Sequence, residues 1–263
     1  MSNAQIDLSG KAALVTGAGR GIGLCIARAL ADRGASVLMT ARKLPSIEGE
    51  AAALQRQGFN VQPFACDVTR YADVEASVHR AKDLFGRLDI LVNNAGVIDP
   101  IARIADSDPE AWSDAIETNV KGVYYGLRAA IPVMEAQGEG VIVNMSSGAA
   151  SSALEGWSHY CASKIAAKKL TECAHKEVGE RGVRVVGLSP GTVATEMMSK
   201  VRASGVNPVS KLDWSAHIPP EWAAEAVVFL CGPEGAEFAG TDFSIKTPEG
   251  RRRVGLPEEG APD

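Results

Sequence analysis

Cysteine is scarce in this 263-residue chain, and the five present form no pattern. Cys25, Cys66, Cys161, Cys173 and Cys231 are odd in number, scattered, and include no Cys-x-x-Cys pair. That argues against a disulfide framework and a cysteine-based zinc site, and fits a reducing compartment. The four histidines (His79, His159, His175 and His217) share no ligand spacing with one another or with the cysteines, so no catalytic metal is expected. No apolar run approaches the roughly 18 residues of a membrane span, and the first residues lack a charged-then-apolar signal segment. A soluble, cytoplasmic protein is expected. Positive charge is short as well. The formal net charge is -5, which argues against a nucleic-acid partner. The one basic run, Arg251-Arg252-Arg253, reads as a solvated tail or a subunit contact. Repeats and linkers are absent. Apolar residues are not: at 46% they suffice for one large core, and one domain spanning 1–263 is expected.

Short β-rich apolar runs alternate with longer helical patterns. Residues 12–15, 36–39, 61–66, 88–92, 141–145, 183–188 and 241–245 read as strands, several of them apolar on both faces as buried parallel strands are. Residues 23–33, 72–85, 109–137, 158–181 and 221–231 read as helices. The alternation predicts an α/β fold, a Rossmann-type doubly wound parallel sheet of about seven strands with helices on both faces. Residues 196–220 lack clear periodicity and carry Gly205, Pro208, Pro219 and Pro220; a substrate lid over 192–220 is expected. A polar tail is expected from about 246.

A glycine loop follows the first strand and opens the first helix: Gly17, Gly19, Arg20, Gly21, Ile22 and Gly23 within Thr16–Gly23. The spacing is Gly-x-x-x-Gly-x-Gly rather than Gly-x-Gly-x-x-Gly, but its physical use is the same. Glycines allow a tight turn and close backbone approach, and the helix N-terminus faces a pyrophosphate. No Gly-Lys-Ser/Thr follows, so this is not a nucleoside-triphosphate loop of that type. After the second strand an NAD site usually carries an acid for the ribose hydroxyls. Here the chain reads Thr40-Ala41-Arg42-Lys43. With no carboxylate, and with Arg42 placed for a 2′-phosphate and Arg20 as a second cation, NADP is favoured over NAD.

Tyr160 and Lys164 stand four residues apart in Tyr-Cys-Ala-Ser-Lys, on one face of a helix. A neighbouring cation favours phenolate and draws a tyrosine down from about 10. Such a tyrosine can exchange a proton with an alcohol or ketone.

Taken in order, these motifs resemble the short-chain dehydrogenase/reductase family from about Leu8 to Ile245. Further matches are Asp67 in Cys66-Asp67-Val68, the segment Asn93-Asn94-Ala95-Gly96, Asn119 in Thr118-Asn119-Val120, Ser147 thirteen positions before Tyr160, and Pro190-Gly191 followed by Thr195. The resemblance implies a catalytic set of Asn119, Ser147, Tyr160 and Lys164. Tyr160 would be the general acid/base, Lys164 would lower its pKa and bond the nicotinamide ribose, and Ser147 would hold the substrate oxygen. Asn119 would hold a water linking Lys164 to solvent. Asp67 and Val68 would receive the adenine, Asn93, Ala95 and Gly96 would line the cofactor, and Pro190, Gly191, Val193 and Thr195 would flank the nicotinamide. Ser146 is the rival for Ser147, since adjacent strand residues point to opposite sides.

Two departures stand out. The family's frequent Val-Asp-Gly-Gly end is replaced by Ile245-Lys246-Thr247-Pro248, which leaves a homodimer or a differently locked homotetramer open. The substrate contacts would come from Val97, Ile98, residues 147–152, Leu154, Trp157 and the 192–220 region, partly apolar through Met197, Met198 and Val201; they do not name a substrate. An NADP-dependent oxidoreductase acting on a secondary alcohol or its ketone is therefore expected, against two rivals: an NAD-preferring enzyme of the same fold, and a non-catalytic dinucleotide sensor.

Overall fold

Leu14, Leu38, Leu91 and Ile142 are all fully buried in the centre of a parallel sheet. The computed structural model describes residues 6–258. Its seven strands are β1 (Ala12–Thr16), β2 (Ser36–Ala41), β3 (Val61–Ala65), β4 (Ile90–Asn93), β5 (Gly140–Met145), β6 (Val183–Ser189) and β7 (Asp242–Ser244). They are all parallel, in the order β3-β2-β1-β4-β5-β6-β7. The helices are α1 (Gly21–Asp32), α2 (Pro45–Arg56), α3 (Tyr71–Phe85), α4 (Pro109–Ile116), α5 (Gly122–Gln137), α6 (Ser158–Val178), α7 (Glu196–Ser204), α8 (Pro220–Cys231) and α9 (Pro248–Val254).

Strand residues alternate between two cores, as the two-residue period requires. Val15, Met39, Val92, Val143 and Leu188 pack with Ile26 and Leu30 of α1 and Phe229 of α8. Leu14, Leu38, Leu91, Ile142 and Val185 pack on the opposite face with Val78 of α3, Leu127 of α5 and Ala167 of α6. Strand order reverses at β1 and β4, so a crevice opens beyond their carboxyl ends, where ligands bind in open sheets.

The seven expected strands match to within two residues at each end. The helices depart from expectation in four places. Helix α2 was not anticipated; its Ile47, Ala51 and Leu54 are buried at helical spacing, but Gly49 and its charged face blur the period. The expected helix over 109–137 is interrupted by a π turn at Glu117–Lys121. The aperiodic stretch over 196–220 contains α7 and two 3-10 turns, Pro208–Lys211 and Trp214–Ala216. The segment expected as a polar tail forms α9, capped where the Thr247 hydroxyl accepts from the Gly250 N–H at 3.1 Å. Arg251 is not a solvated tail residue: it is buried, donates to the Lys246 carbonyl, and lies over the Trp222 ring. The last five positions of the expected tail fall outside the described residues. Among the described residues no helix is long and apolar enough to cross a membrane.

Candidate functional site

The glycine loop leaves β1 and turns sharply into α1. Gly17 takes a φ of +65°, a conformation that a side chain would strain. Gly23 allows helix and loop to touch; a Cβ there would lie 2.3 Å from the Gly17 carbonyl oxygen. Asn94 locks the loop from β4, its Nδ2 donating to the carbonyls of Thr16 and Gly17. Helix α1 has no side-chain cap and no acid in its first turn. Its first N–H groups therefore face the crevice with their hydrogen-bonding capacity uncommitted to a cap.

This end opens into one continuous cleft of about 970 Å³. Gly17, Gly19, Arg20, Gly21, Ile22, Gly23, Arg42, Asp67, Val68, Ala95, Gly96, Pro190, Gly191, Val193 and Thr195 all line it. Arg42 is exposed at the end of β2 and makes no ion pair among the described residues. Arg20 pairs with Glu196 of α7. Asp67 accepts from the Thr69 N–H and hydroxyl at 3.0 and 2.8 Å, so it also shapes its own turn.

Ser147, Tyr160 and Lys164 meet farther along the same cleft. Tyr160 is on the first turn of α6, packed edge-on against Trp157 with ring centroids 5.6 Å apart. Lys164 lies one turn on; its Nζ donates to the Met145 carbonyl at 2.7 Å and is 5.5 Å from the Tyr160 ring centre. Ser147 follows β5. Ser146 also lines the cleft, but its hydroxyl is committed to Asp242 Oδ2 at 2.9 Å; Ser147 is the serine hydrogen-bonded to the phenol.

The electrostatics differ from the sequence expectation. Burial pushes the Tyr160 phenol up to about 12, partly offset by a hydrogen bond from Ser147. Burial also brings the Lys164 ammonium down to about 8, opposed by the charge of Asp242. Desolvation penalises both charged forms, and it outweighs the depression of the tyrosine expected from spacing alone. At neutral pH the phenol keeps its proton and the amine its charge.

Two expected residues stand behind the cleft rather than in it. Asn93 is buried on the α5–α6 side, its Nδ2 donating to Asn144 Oδ1 at 2.8 Å, and Asn144 donates in turn to Thr171. Strand alternation turns Asn93 away from the cofactor side, and Asn94 lines the cleft in its place. Asn119 sits in the π turn, a distortion frequent at functional sites. Its amide spans the Val97 N–H and carbonyl at 2.8 Å each and reaches Ser163 Oγ at 3.2 Å. Both ends of that amide are thus occupied by protein. Ser46 also lines the cleft; no motif in the sequence singles it out.

The remaining wall is apolar. Ile98, Trp157 and Val201 form a small core with Leu154, Met197, Met198 and Val209 packed on it. His159 is fully buried and bonded through Nε2 to the Ile98 carbonyl at 2.7 Å. Helix α7 lies across the opening, tied by Arg20–Glu196 and by Lys200–Asp99 at 2.6 Å.

Comparison with known proteins places this arrangement. The short chain dehydrogenase family model matches residues 11–205. The chain is 36% identical over 247 residues to the 3-oxoacyl-acyl-carrier-protein reductase FabG of Vibrio harveyi, covering 91% of this chain and 97% of the relative. It is 37% identical over 245 residues to the D-threitol dehydrogenase of Mycolicibacterium smegmatis, covering 90% and 92%. The crystal structure of gox2181 shares the fold at a TM-score of 0.85 and 24% identity, covering 91% and 95%. A match of this extent, on a parallel seven-stranded sheet of this order, makes the chain a member of the short-chain dehydrogenase/reductase family and an NAD(P)-dependent enzyme.

Proposed function

We propose that the protein is an NADP-dependent oxidoreductase that interconverts a secondary alcohol and a ketone, with Tyr160 as general acid and base. The observation that carries this reading is the convergence of Ser147, Tyr160 and Lys164 on one stretch of a cleft whose far end is an uncapped helix N-terminus. The residues fit a dinucleotide. The first turn of α1 and the close-packed glycines suit a pyrophosphate, Asp67 and Val68 the adenine, and Pro190, Gly191, Val193 and Thr195 the nicotinamide. Arg42 and Arg20 suit a 2′-phosphate, with no acid at the end of β2 to repel it. When bound, the nicotinamide supplies or accepts the hydride.

The chain's own groups manage the substrate oxygen. In reduction the Tyr160 hydroxyl gives its proton to the carbonyl oxygen while Ser147 donates a hydrogen bond to the same atom, stabilising the charge that develops. The charge on Lys164 favours the phenolate that results. Oxidation runs the same steps in reverse. Asn119 acts from behind by fixing Val97 and Ser163. Helix α7 and the turns up to 220 act as a lid over an apolar substrate wall. By their names, the two curated relatives act on an oxygen-bearing carbon, which supports the same reaction class here. The test is a panel of ketones and secondary alcohols with both cofactors, followed by absorbance of the reduced nicotinamide. Arg42→Asp should reverse an NADP preference by tenfold or more; each well-made charged phosphate contact is worth about 1.5–3 kcal/mol. An unchanged preference would contradict the assignment of Arg42.

A further inference from the structure

Asp242 reaches across a strand. In register, Asp242 of β7 pairs with Gly187 of β6, and Gly187 with Asn144 of β5. The carboxylate lies over Gly187, where a Cβ would fall 2.4 Å from Asp242 Oδ1. It ends on β5's continuation, with Oδ2 accepting from Ser146 Oγ at 2.9 Å. Oδ1 is buried without a hydrogen-bond partner among the described residues. A carboxylate oxygen left so is costly unless it serves a charge. The titratable groups facing it are Lys164, Lys168 and Glu172, all from α6. From β6 it meets Gly187 and from the end of β5 Ser146. Lys164 is held by the carbonyl of Met145, the residue immediately before Ser146. Lys164 itself faces Tyr160 from its own helix and Asp242 from β7.

We infer that Asp242 is a positioning residue, the counter-ion that keeps Lys164 cationic and the anchor that fixes the Met145–Ser147 turn carrying the lysine's acceptor and the substrate-facing serine. The role rests on the proposed chemistry of Lys164, but the charge pairing itself can be measured without turnover. Burial lowers the lysine and the charge of Asp242 raises it; burial raises the Asp242 carboxyl in turn, opposed by the Ser146 hydrogen bond and the charges of Lys168 and Lys164. Gly187 is the structural companion, since any side chain there would displace the carboxylate. None of these contacts touches substrate, so Asp242 acts only through its neighbours.

The experiment is a pH titration of the cofactor-free protein labelled with ¹⁵N-lysine, in which Lys164→Met identifies the Lys164 Nζ resonance. Wild type should titrate near 8. Asp242→Asn, which keeps the shape and removes the charge, should lower that midpoint by about half a unit or more, the low end for a nearby opposite charge. Asp242→Glu should restore part of the shift. The alkaline limb of kcat/KM for reduction should move to lower pH with the Lys164 midpoint, a change that loss of packing alone would not produce. If Asp242→Asn does not fold, Ser146→Ala, which frees the carboxylate, carries the test with a smaller fall in the same direction. An unchanged midpoint in whichever folded variant is titrated overturns the inference. That result is distinct from failure of the proposed function, which would appear as turnover surviving the loss of the Tyr160 hydroxyl.

Discussion

Gly23 sets the tolerance of the site at the scale of single residues. A methyl group there would sit 2.3 Å from the Gly17 carbonyl oxygen, so the loop and α1 can close only around a hydrogen. Tyr160 is the proposed general acid and base. Its phenol is raised to about 12 by burial and so stays protonated at neutral pH, ready to donate rather than accept. Removing the hydroxyl by Tyr160→Phe should cut turnover by about 10²–10⁴-fold, the usual contribution of a general acid. Cofactor affinity, read by quenching of tryptophan fluorescence, should change little, and the far-ultraviolet circular dichroism should be unaltered. Retained turnover on the compounds the wild type converts would remove Tyr160 from the mechanism. Cys66, also in the cleft wall, is pushed up to about 12 by burial; its thiol stays protonated and packs as a small apolar group.

At the scale of elements, the start of the sheet depends on Asp89, just before β4. Its Oδ2 accepts from the Ala12 N–H at 2.8 Å and from Arg87 Nε at 2.6 Å, and its Oδ1 from Lys11 Nζ at 3.3 Å. These contacts join the first residues of β1 and β4, the two strands whose far ends form the crevice. Burial by itself would raise this carboxyl, but the hydrogen bonds from Arg87 and Ala12 and the charge of Lys11 hold it below its ordinary value of 3.8. A depressed carboxyl contributes stability above its unfolded pKa, near 3.9, and loses that contribution as pH falls through the lower folded value. Asp89→Asn should therefore destabilise the fold by about 1–3 kcal/mol at pH 7. The difference from wild type should shrink below about pH 4. Denaturant midpoints measured from pH 7 down to pH 3 check this; a difference that does not narrow in acid would contradict the charge-based account.

The whole molecule presents apolar side chains that its own fold leaves uncovered. Tyr124 on α5 is 48% exposed and Ile165 on α6 is 46% exposed. These are the two long helices, and many members of the family that the sequence resembles associate through such a pair. A dimer or tetramer is expected from light scattering, and Tyr124→Glu combined with Ile165→Glu should lower the mass towards that of the monomer. A monomeric wild type at micromolar concentration would contradict this. Helix α9 adds a second whole-chain feature. It folds back so that Arg251 packs over Trp222 of α8, and residues 248–254 are part of the body rather than a free arm.

The strands and the cleft's main residues were legible because each depends on near neighbours in sequence. Continuous apolar runs mark buried parallel strands, glycine spacing marks a strand-to-helix turn, and four-residue spacing sets Tyr160 and Lys164 on one helical face. Helix α2 and α9 were not, because their apolar faces are short and acquire meaning only when the sheet supplies something to bury them against. Strand pairing settled that Asn94 rather than Asn93 lines the cleft, and that the Ser146 hydroxyl, though Ser146 lines the cleft beside Ser147, is committed to a partner. The Asn93 and Ser146 side chains bond to β5 and β7, partners 51 and 96 residues distant. The protonation states were likewise beyond local reading, since spacing fixes which groups meet but desolvation depends on everything packed around them. Sequence by itself thus determined the family, the sheet and the placing of Tyr160 and Lys164 on one helical face, all written in local periodicity. Tertiary structure alone decided which side chains reach the cleft and how strongly each holds its proton, because burial and cross-strand contact exist only once the chain has folded.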